Sequence, residues 1–344
     1  MKKVIGILLA LLVIAGAAVA FIFLGPATGF SGNKESLYIR SNAATKEAVL
    51  DSLRANKIIK NESAFSFLAG RLNYWNTIKP GKYEIKEGAS LLGIVRMLRN
   101  GQQTPVNLVI TKLRTKEDLA RLVGSRFEFD SAQMLAFLNN PDSLRKYNID
   151  PERSLALVLP DTYKYFWNTT PDKVYKKLAD ESEKFWTAER KQKAEAQGLS
   201  PVQAYTLASI VEEETNAHAE KGNVASVYLN RIRKGMPLQA DPTVKFALKD
   251  FGLKRIYQKH LAVESPYNTY RNPGLPPGPI CTPSRKTIDA VLNSPRTEYL
   301  YFVASPKFDG THDFSVTYDE HLQKAKQYQQ ALNQLEATQN NTTR

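Results

Sequence analysis

Three consecutive carboxylates, Glu212, Glu213 and Glu214, directly follow the apolar segment 207–211. A carboxyl group that is partly desolvated beside apolar side chains has a raised pKa. Such a group donates a proton near neutral pH and therefore acts as a general acid. The segment indicates acid–base chemistry by at least one of the three glutamates.

The helix that carries these glutamates has a well-marked start. Ser200 is a favourable N-cap, Pro201 suits the first helical position, and Gln203 completes a capping box. At 100° per residue, one side of the predicted helix is apolar. Its buried stripe consists of Ala204, Leu207, Ala208 and Val211.

The three glutamates differ in their direction relative to this stripe. Glu213 projects almost directly away from it, and we expect it to be solvated. Glu212 and Glu214 lie on opposite shoulders of the stripe, where a carboxylate faces a cleft while partly desolvated. Helical periodicity alone does not choose between these two.

Composition limits the class of protein. The chain has 344 residues, 42% of them hydrophobic, and a formal net charge of +13. This length accommodates one large domain or two domains, each with a core. The positive charge favours an anionic surrounding such as nucleic acid, a phospholipid surface or a carboxylate-bearing polymer. Because no aromatic-interleaved basic motif or helix-turn-helix signature is present, we expect no nucleic acid partner.

Cysteine and histidine usage points away from metal chemistry. Cys281 is the single cysteine, which excludes an intrachain disulfide and a cysteine-based metal cluster. We expect it to be a small buried residue. The four histidines show neither the HExxH pairing nor another metal spacing, so no metal site and no cofactor are predicted. His312 has two interpretations, a structural residue or a residue of the cleft wall.

The N-terminus predicts a membrane helix. Lys2 and Lys3 precede an uncharged segment, 4–24, which is long enough to cross a hydrocarbon core of roughly 30 Å. The lysines would stay cytoplasmic and the rest of the chain would lie outside. A cleaved signal peptide is the alternative, since residues 18–20 fit a cleavage site. We favour an uncleaved anchor because the apolar residues continue beyond that site.

The pattern of elements predicts an α+β fold in several segments. After the transmembrane anchor 1–24, residues 25–35 read as a tether and 36–112 as a small α+β module. Within it, Tyr83, Ile85, Gly88, Ser90, Leu91 and Ile94 resemble the opening of a LysM carbohydrate-binding repeat. Any strand-turn-helix with a glycine turn gives a similar pattern, so an ordinary module remains the alternative. Residues 113–337 are predicted to hold a helical connecting region and a mixed α/β catalytic domain with its core at about 200–320. A polar tail, 338–344, follows.

Four segments, taken together, resemble the YceG/MltG family of membrane-anchored endolytic murein transglycosylases. In order, they are ASIVEEET, VASVYLNRIRKGMPLQADPTVKFAL, SPYNTYRNPGLPPGPI and YLYFVASPKFDGTHDFS. Two departures are visible. Glu213 stands where related sequences often carry lysine, and Leu155-Ala156 replaces a usual Glu-Gly pair, which puts any role of that pair in doubt here.

The resemblance implies the chemistry. The first glutamate of the family motif, Glu212 here, would be the acid/base that protonates the oxygen between N-acetylmuramic acid (MurNAc) and N-acetylglucosamine (GlcNAc). It would then deprotonate the MurNAc C6 hydroxyl as that group attacks C1, which gives a 1,6-anhydro-MurNAc end. The implied location is the inner membrane, single-pass, with the catalytic domain on the extracytoplasmic side. The partners would be nascent glycan strands and penicillin-binding synthases, and cleavage would limit strand elongation.

Polar loops supply candidate substrate contacts. We select Gln239, Asp241, Asn268 and Tyr270, with Glu214 as a further candidate. Asp241 has an alternative role as the N-cap of a helix that begins near Pro242, and Tyr270 could belong to the core.

A noncatalytic, membrane-anchored peptidoglycan-binding scaffold is the alternative function. It would explain the anchor and the positive charge but not the shoulder carboxylates.

Overall fold

The computed structural model describes residues 2–342, and the chain divides into two compact units. Unit 1 comprises 1–108, 123–130 and 163–170; unit 2 comprises 109–122, 131–162 and 171–344. The chain therefore passes between the two units several times. The sequence predicts a single boundary, near residue 112. The mixed α+β class is confirmed.

Unit 1 begins with a long apolar helix and continues as a small α+β module. Its elements are α1 Lys2–Leu24, β1 Lys34–Ile39, α2 Lys46–Ala55, α3 Glu62–Arg71, β2 Gly81–Lys86 and α4 Leu91–Asn100. β1 and β2 pair antiparallel, with Leu37 opposite Tyr83. Both of these side chains are fully buried. The strand alternation therefore builds the core beneath the helices.

Local signals account for α4. Ser90 accepts a hydrogen bond from the backbone N–H of Gly93, and Gly101 ends the helix with a φ of 69°. Glycine adopts this left-handed conformation without steric cost, as a C-terminal cap requires. The predicted strand-turn-helix at 81–101 is thus present, and the LysM resemblance stays a prediction.

The segment predicted as a tether packs against unit 1. Ala27 and Thr28 are buried, and Thr28 forms an isolated bridge with Ile59. The Ala27 N–H also donates to the Ala89 carbonyl over 3.1 Å. Backbone hydrogen bonds thus fix part of the segment that the sequence predicts as a tether.

Within residues 2–342, α1 alone is long and apolar enough to cross a membrane. It has 23 residues, and no residue of its most apolar stretch is buried. Both a membrane anchor and a signal sequence have these properties.

The next elements alternate between the units. They are β3 Val106–Ile110, α5 Lys116–Gly124, α6 Ser131–Asn139, α7 Pro141–Arg145, β4 Asp161–Tyr165, α8 Pro171–Phe185 and α9 Ala188–Ala196. β3 and β4 form a second two-stranded sheet.

The remainder of unit 2 surrounds one central helix. Its elements are α10 Pro201–Glu214, α11 Lys221–Arg233, α12 Asp241–Leu248, α13 Gln258–Leu261, α14 Arg285–Leu292, β5 Tyr301–Ala304, β6 His312–Ser315 and α15 Tyr318–Thr342. β5 and β6 pair antiparallel. The helix α15 extends through Thr342, beyond the predicted start of the polar tail at 338. Residues 343 and 344 of that tail lie outside the described residues.

Helix α10 has the predicted start but a wider buried surface than predicted. Ser200 and Gln203 form the capping box in both directions. Every residue from Ala204 to Val211 is buried, because α9, α11, α12 and α14 all pack around this helix. The prediction of a single buried stripe is therefore wrong. A helix enclosed on all sides gives its last three residues, the glutamates, three different protein environments.

Candidate active site

Glu212 lies in a closed polar network between α10, α11 and α14. The Lys221 ammonium donates to Glu212 Oε2 over 2.7 Å and to Thr287 Oγ1 over 2.8 Å. Hydroxyl groups of Ser284 and Thr287 donate to the same carboxylate oxygen. The Lys221 side chain is only 8% exposed. One cation and two hydroxyls therefore hold this carboxylate in a charge-assisted hydrogen-bond network.

Glu213 is ion-paired rather than solvated. Its oxygens lie 2.9 Å from Lys112 Nζ and 3.1 Å from Arg114 Nη2, and its side chain is 17% exposed. Burial alone would raise the pKa of Glu213, but the hydrogen bonds and charges of Lys112 and Arg114 lower it. The prediction of an exposed Glu213 is wrong, since the segment after β3 covers this side of α10.

Glu214 lines a polar cavity of about 280 Å³. Its Oε1 accepts a hydrogen bond of 2.5 Å from the Tyr228 hydroxyl. Desolvation raises the pKa of Glu214 from its ordinary 4.5 to about 7; the Tyr228 hydrogen bond opposes this shift, and the charge of Asp241 adds to it. Burial and Glu214 together raise the Tyr228 pKa well above its ordinary value, so this partner stays a neutral donor. Glu214 is thus poised to exchange a proton near neutral pH.

Asp241 and Tyr270 form the wall of the same cavity. The Tyr270 hydroxyl donates to Asp241 Oδ1 over 2.6 Å, and burial is the main cause of a raised Tyr270 pKa. The helix α12 begins at Asp241 with Ala240 as its N-cap, and no side chain caps it. The alternative of Asp241 as an N-cap is therefore wrong, and its carboxylate faces the cavity.

Gln239 lines the cavity from a strained backbone position. Its φ is 53°, and its N–H donates to the Thr269 carbonyl over 3.1 Å. Non-glycine residues adopt this left-handed conformation uncommonly, and such positions cluster at functional sites. Gln239, which we select from the sequence as a substrate contact, thus lies in the same cavity as Asp241.

Five further residues of this wall were not among the site residues selected from the sequence: Tyr228, Arg231, Leu238, Phe302 and His321. The Arg231 Nε donates to the Leu300 carbonyl and its Nη1 to the Leu238 carbonyl, each over 2.7 Å. Arg231 therefore ties β5 to the loop before α12. Tyr228 and Arg231 are three residues apart on α11, so the sequence places them on one face but does not show that this face meets Glu214.

Asn268 does not line the cavity. It is fully buried, and its Nδ2 donates to the carbonyls of Leu261 and Val263 over 2.9 and 2.8 Å. Its Oδ1 accepts from the Tyr270 N–H over 3.0 Å. The side chain that we predicted to contact substrate instead organises the loop that presents Tyr270.

His312 and Cys281 have structural surroundings. His312 Nδ1 lies 2.7 Å from Glu220 Oε1, a carboxylate that is itself buried. Cys281 is buried, as predicted, and its Sγ contacts the Ser209 carbonyl over 3.4 Å. Among the described residues, no three His, Cys, Asp or Glu side chains are placed to hold a metal ion.

Comparison with known proteins defines the class. A sequence model of the YceG-like family matches residues 37–327, so the chain belongs to this family, as its motifs predict. It is similar to a protein of Bacillus subtilis named endolytic murein transglycosylase, with 28% identity over 85% of this chain and 84% of the relative. A Streptococcus pneumoniae protein of the same name is 27% identical over 72% of this chain and 50% of its own length.

One solved structure extends the comparison to the fold. A crystal structure of a YceG-like protein from Listeria monocytogenes matches with a TM-score of 0.56 and 28% identity. The match covers 85% of this chain and 99% of that chain. The family is therefore supported by sequence and by structure.

Proposed function

We propose that the protein is an endolytic murein transglycosylase in which Glu214 is the general acid and base. The observation that carries this proposal is the position of Glu214 in a polar cavity with Gln239, Asp241 and Tyr270, where burial raises its pKa to about 7. The sequence favoured Glu212 by resemblance. Because Glu212 is paired with Lys221 and lines none of this cavity, we assign the role to Glu214 instead.

The proposed reaction needs one carboxyl group that works twice. Protonated Glu214 donates its proton to the glycosidic oxygen between MurNAc and GlcNAc, and that C–O bond breaks. The MurNAc C6 hydroxyl attacks C1, and the Glu214 carboxylate accepts the hydroxyl proton. The product carries a 1,6-anhydro end, no water is consumed, and the enzyme returns to its starting state. A pKa close to the working pH suits both steps.

The cavity wall supports the charge that develops at the sugar. A positively charged, oxocarbenium-like centre is stabilised by nearby carboxylate and hydrogen-bonding groups. Asp241, which Tyr270 positions through its hydroxyl, is the group that we assign to this task. Gln239 offers an amide for sugar hydroxyls, and Arg231 holds the backbone at Leu238.

We propose that α1 is an uncleaved anchor with the catalytic unit outside the cytoplasm. The apolar residues of α1 continue past 18–20 to Leu24, and cleavage there would leave an apolar terminus. Glycan strands near the membrane are then the substrate, cleavage limits their length, and penicillin-binding synthases are the expected neighbours.

The test is the mass of the products released from defined, uncrosslinked glycan strands. We expect internal cleavage and products that lack one water relative to hydrolysis products. Borohydride-reducible MurNAc ends would identify a hydrolase, with Asp241 as the required second carboxylate. Glycan binding without any turnover would favour the noncatalytic scaffold.

A further inference from the structure

An exposed aromatic side chain lies beside the end of the membrane helix. Phe67 on α3 is 57% exposed, and its ring stacks on that of Phe23 with centroids 6.3 Å apart. Phe23 itself is the penultimate residue of α1 and packs partly against the core of unit 1. A single exposed phenylalanine is common on soluble proteins, but one stacked on the end of an apolar span has the position of a side chain that meets a membrane.

The length of α1 sets the depth of Phe23. The residues from Val4 to Phe23 rise about 30 Å at 1.5 Å per residue, which equals the thickness of a typical hydrocarbon core. With Lys2 and Lys3 at one surface, Phe23 therefore reaches the opposite edge of the hydrocarbon. Since the two rings are 6.3 Å apart, an α1 that spans the bilayer brings Phe67 close to this edge.

Two cations accompany the aromatics at this place. The Arg71 guanidinium lies 5.4 Å from the Phe67 ring centroid, and Lys46 Nζ lies 5.6 Å from that of Trp75. All four residues line one depression of about 670 Å³. The carboxylate of Glu62 in the same depression is paired with Arg54 at 2.8 Å, so a net positive charge remains. Aromatic rings with Lys and Arg are the composition of membrane interfaces.

The connection between α1 and the module is short and hydrogen-bonded. The Gly25 N–H donates to the Phe21 carbonyl over 2.8 Å, and the Gly29 N–H donates to the Ile58 carbonyl over 3.1 Å. Together with the bridge from Thr28 to Ile59, these bonds hold α3 at the end of α1. The module does not move away on a free tether.

We propose that Lys46, Phe67, Arg71 and Trp75, the α3 face, lie in the headgroup layer of the bilayer that α1 enters. Phe67 and Trp75 insert at the boundary of the hydrocarbon, and Lys46 and Arg71 contact lipid phosphates. This inference rests on the uncleaved anchor in the proposed function. It adds that unit 1 has a fixed, membrane-bound face rather than a position at variable distance.

The experiment measures the depth of three single positions in the full-length protein in vesicles of phosphatidylcholine and phosphatidylglycerol. Leu12→Cys, Phe67→Cys and Tyr257→Cys each receive a thiol-reactive nitrobenzoxadiazole fluorophore, while Cys281 stays buried and unlabelled. Tyr257 is the matched control because it is 55% exposed and has the Arg255 guanidinium 5.8 Å from its ring. Iodide reports exposure to water, and lipids with a shallow nitroxide report proximity to headgroups.

We expect a probe at 12 to be shielded from iodide. A probe at 67 should be quenched by the shallow nitroxide and several-fold less by iodide than the probe at 257. A shielded probe at 12 with a probe at 67 as open to iodide as that at 257 would overturn the α3 face but leave the anchor intact. Iodide access at 12, or a mature chain without α1, would overturn both. Thermal melts of each labelled variant verify that it is folded.

Discussion

The two sides of the last turn of α10 hold chemically similar carboxylates in different surroundings. On one side, a buried ammonium group lies 2.7 Å from Glu212 and hydroxyls complete the network. On the other, a neutral tyrosine hydroxyl lies 2.5 Å from Glu214. The charge of Asp241 there raises the pKa of Glu214. Glu212 and Glu214 are two residues apart in the sequence, but the first has a cationic partner and the second a neutral one.

The difference lies in the charge of the partner rather than in burial. Glu212 has the Lys221 ammonium in contact, whereas the neutral Tyr228 hydroxyl offsets only part of the desolvation that raises the pKa of Glu214. An acid that must give up and regain a proton needs the second arrangement.

Replacement of Glu214 by glutamine should have the largest effect. Glu214→Gln keeps size and the contact with Tyr228 but removes the exchangeable proton, and loss of general acid catalysis typically lowers turnover by about 10²- to 10⁴-fold. The folded state and glycan binding should persist. The measurement is kcat on uncrosslinked glycan strands, with melts in parallel.

Glu212→Gln is the matched control two residues away. We expect its folded fraction to retain turnover, with the main change in thermal stability. Selective loss of turnover in a well-folded Glu212→Gln variant, with near-normal turnover in Glu214→Gln, would return the acid/base role to Glu212.

Removal of the cation should destabilise the Glu212 side. Lys221→Met leaves a carboxylate and two hydroxyls in a largely buried site without their positive partner, and breaking a buried pair costs about 3–5 kcal/mol in the free energy of unfolding. Urea denaturation measures this change. Because the Glu212 carboxylate causes the penalty, Glu212→Gln in the same chain should recover part of the loss. A loss below about 1 kcal/mol, as for exposed pairs, would show that the network is solvated.

The pKa of Glu214 makes the other side pH-sensitive in a definite direction. Its folded-state pKa is raised from 4.5 to about 7, so the neutral form is favoured by folding. The stabilising contribution is complete below the unfolded pKa and is lost as pH rises through about 7, up to roughly 3 kcal/mol over the whole range. The ratio kcat/KM should fall above about pH 7, where the folded enzyme loses the proton of Glu214.

The difference between wild type and Glu214→Gln isolates this group. Melts from about pH 5 to pH 8.5 should show wild type losing stability relative to the variant as pH rises. Parallel curves for the two proteins would mean that Glu214 is already ionised at the lower pH and does not act as an acid.

Local patterns predicted local structure well. The capping box at Ser200 and Gln203 and the glycine cap at Gly101 depend on neighbours within four residues, which a sequence displays directly. The apolar length of α1 is a similar local property. The motif order also placed Gln239, Asp241 and Tyr270 near the glutamates, and the cavity contains all three.

Contacts between distant segments were not predictable from periodicity. Glu213 was expected to be solvated, but Lys112 and Arg114 come from a segment about a hundred positions earlier. The direction of a side chain on a helix identifies the face but not what covers it. Asn268 shows the same limit, because its amide is used by the backbone of its own loop, which residue type alone does not reveal.

Glu213 provides the smallest expected effect and a third point in the comparison. Like Glu212, it is paired with cations, but the side chains of its partners Lys112 and Arg114 are 38% and 35% exposed. Water therefore screens the pairs, and partly exposed ion pairs contribute only about 1 kcal/mol or less. Glu213→Gln should lower the free energy of unfolding by about this amount, with kcat unchanged. High salt should reduce the difference between variant and wild type, because the pairs are screened, whereas the effect of Lys221→Met should depend little on salt. If Glu213→Gln lowered kcat by tenfold or more at unchanged stability, the lysine and arginine would have to position α10 for catalysis, and the division of the three glutamates by their partners would fail.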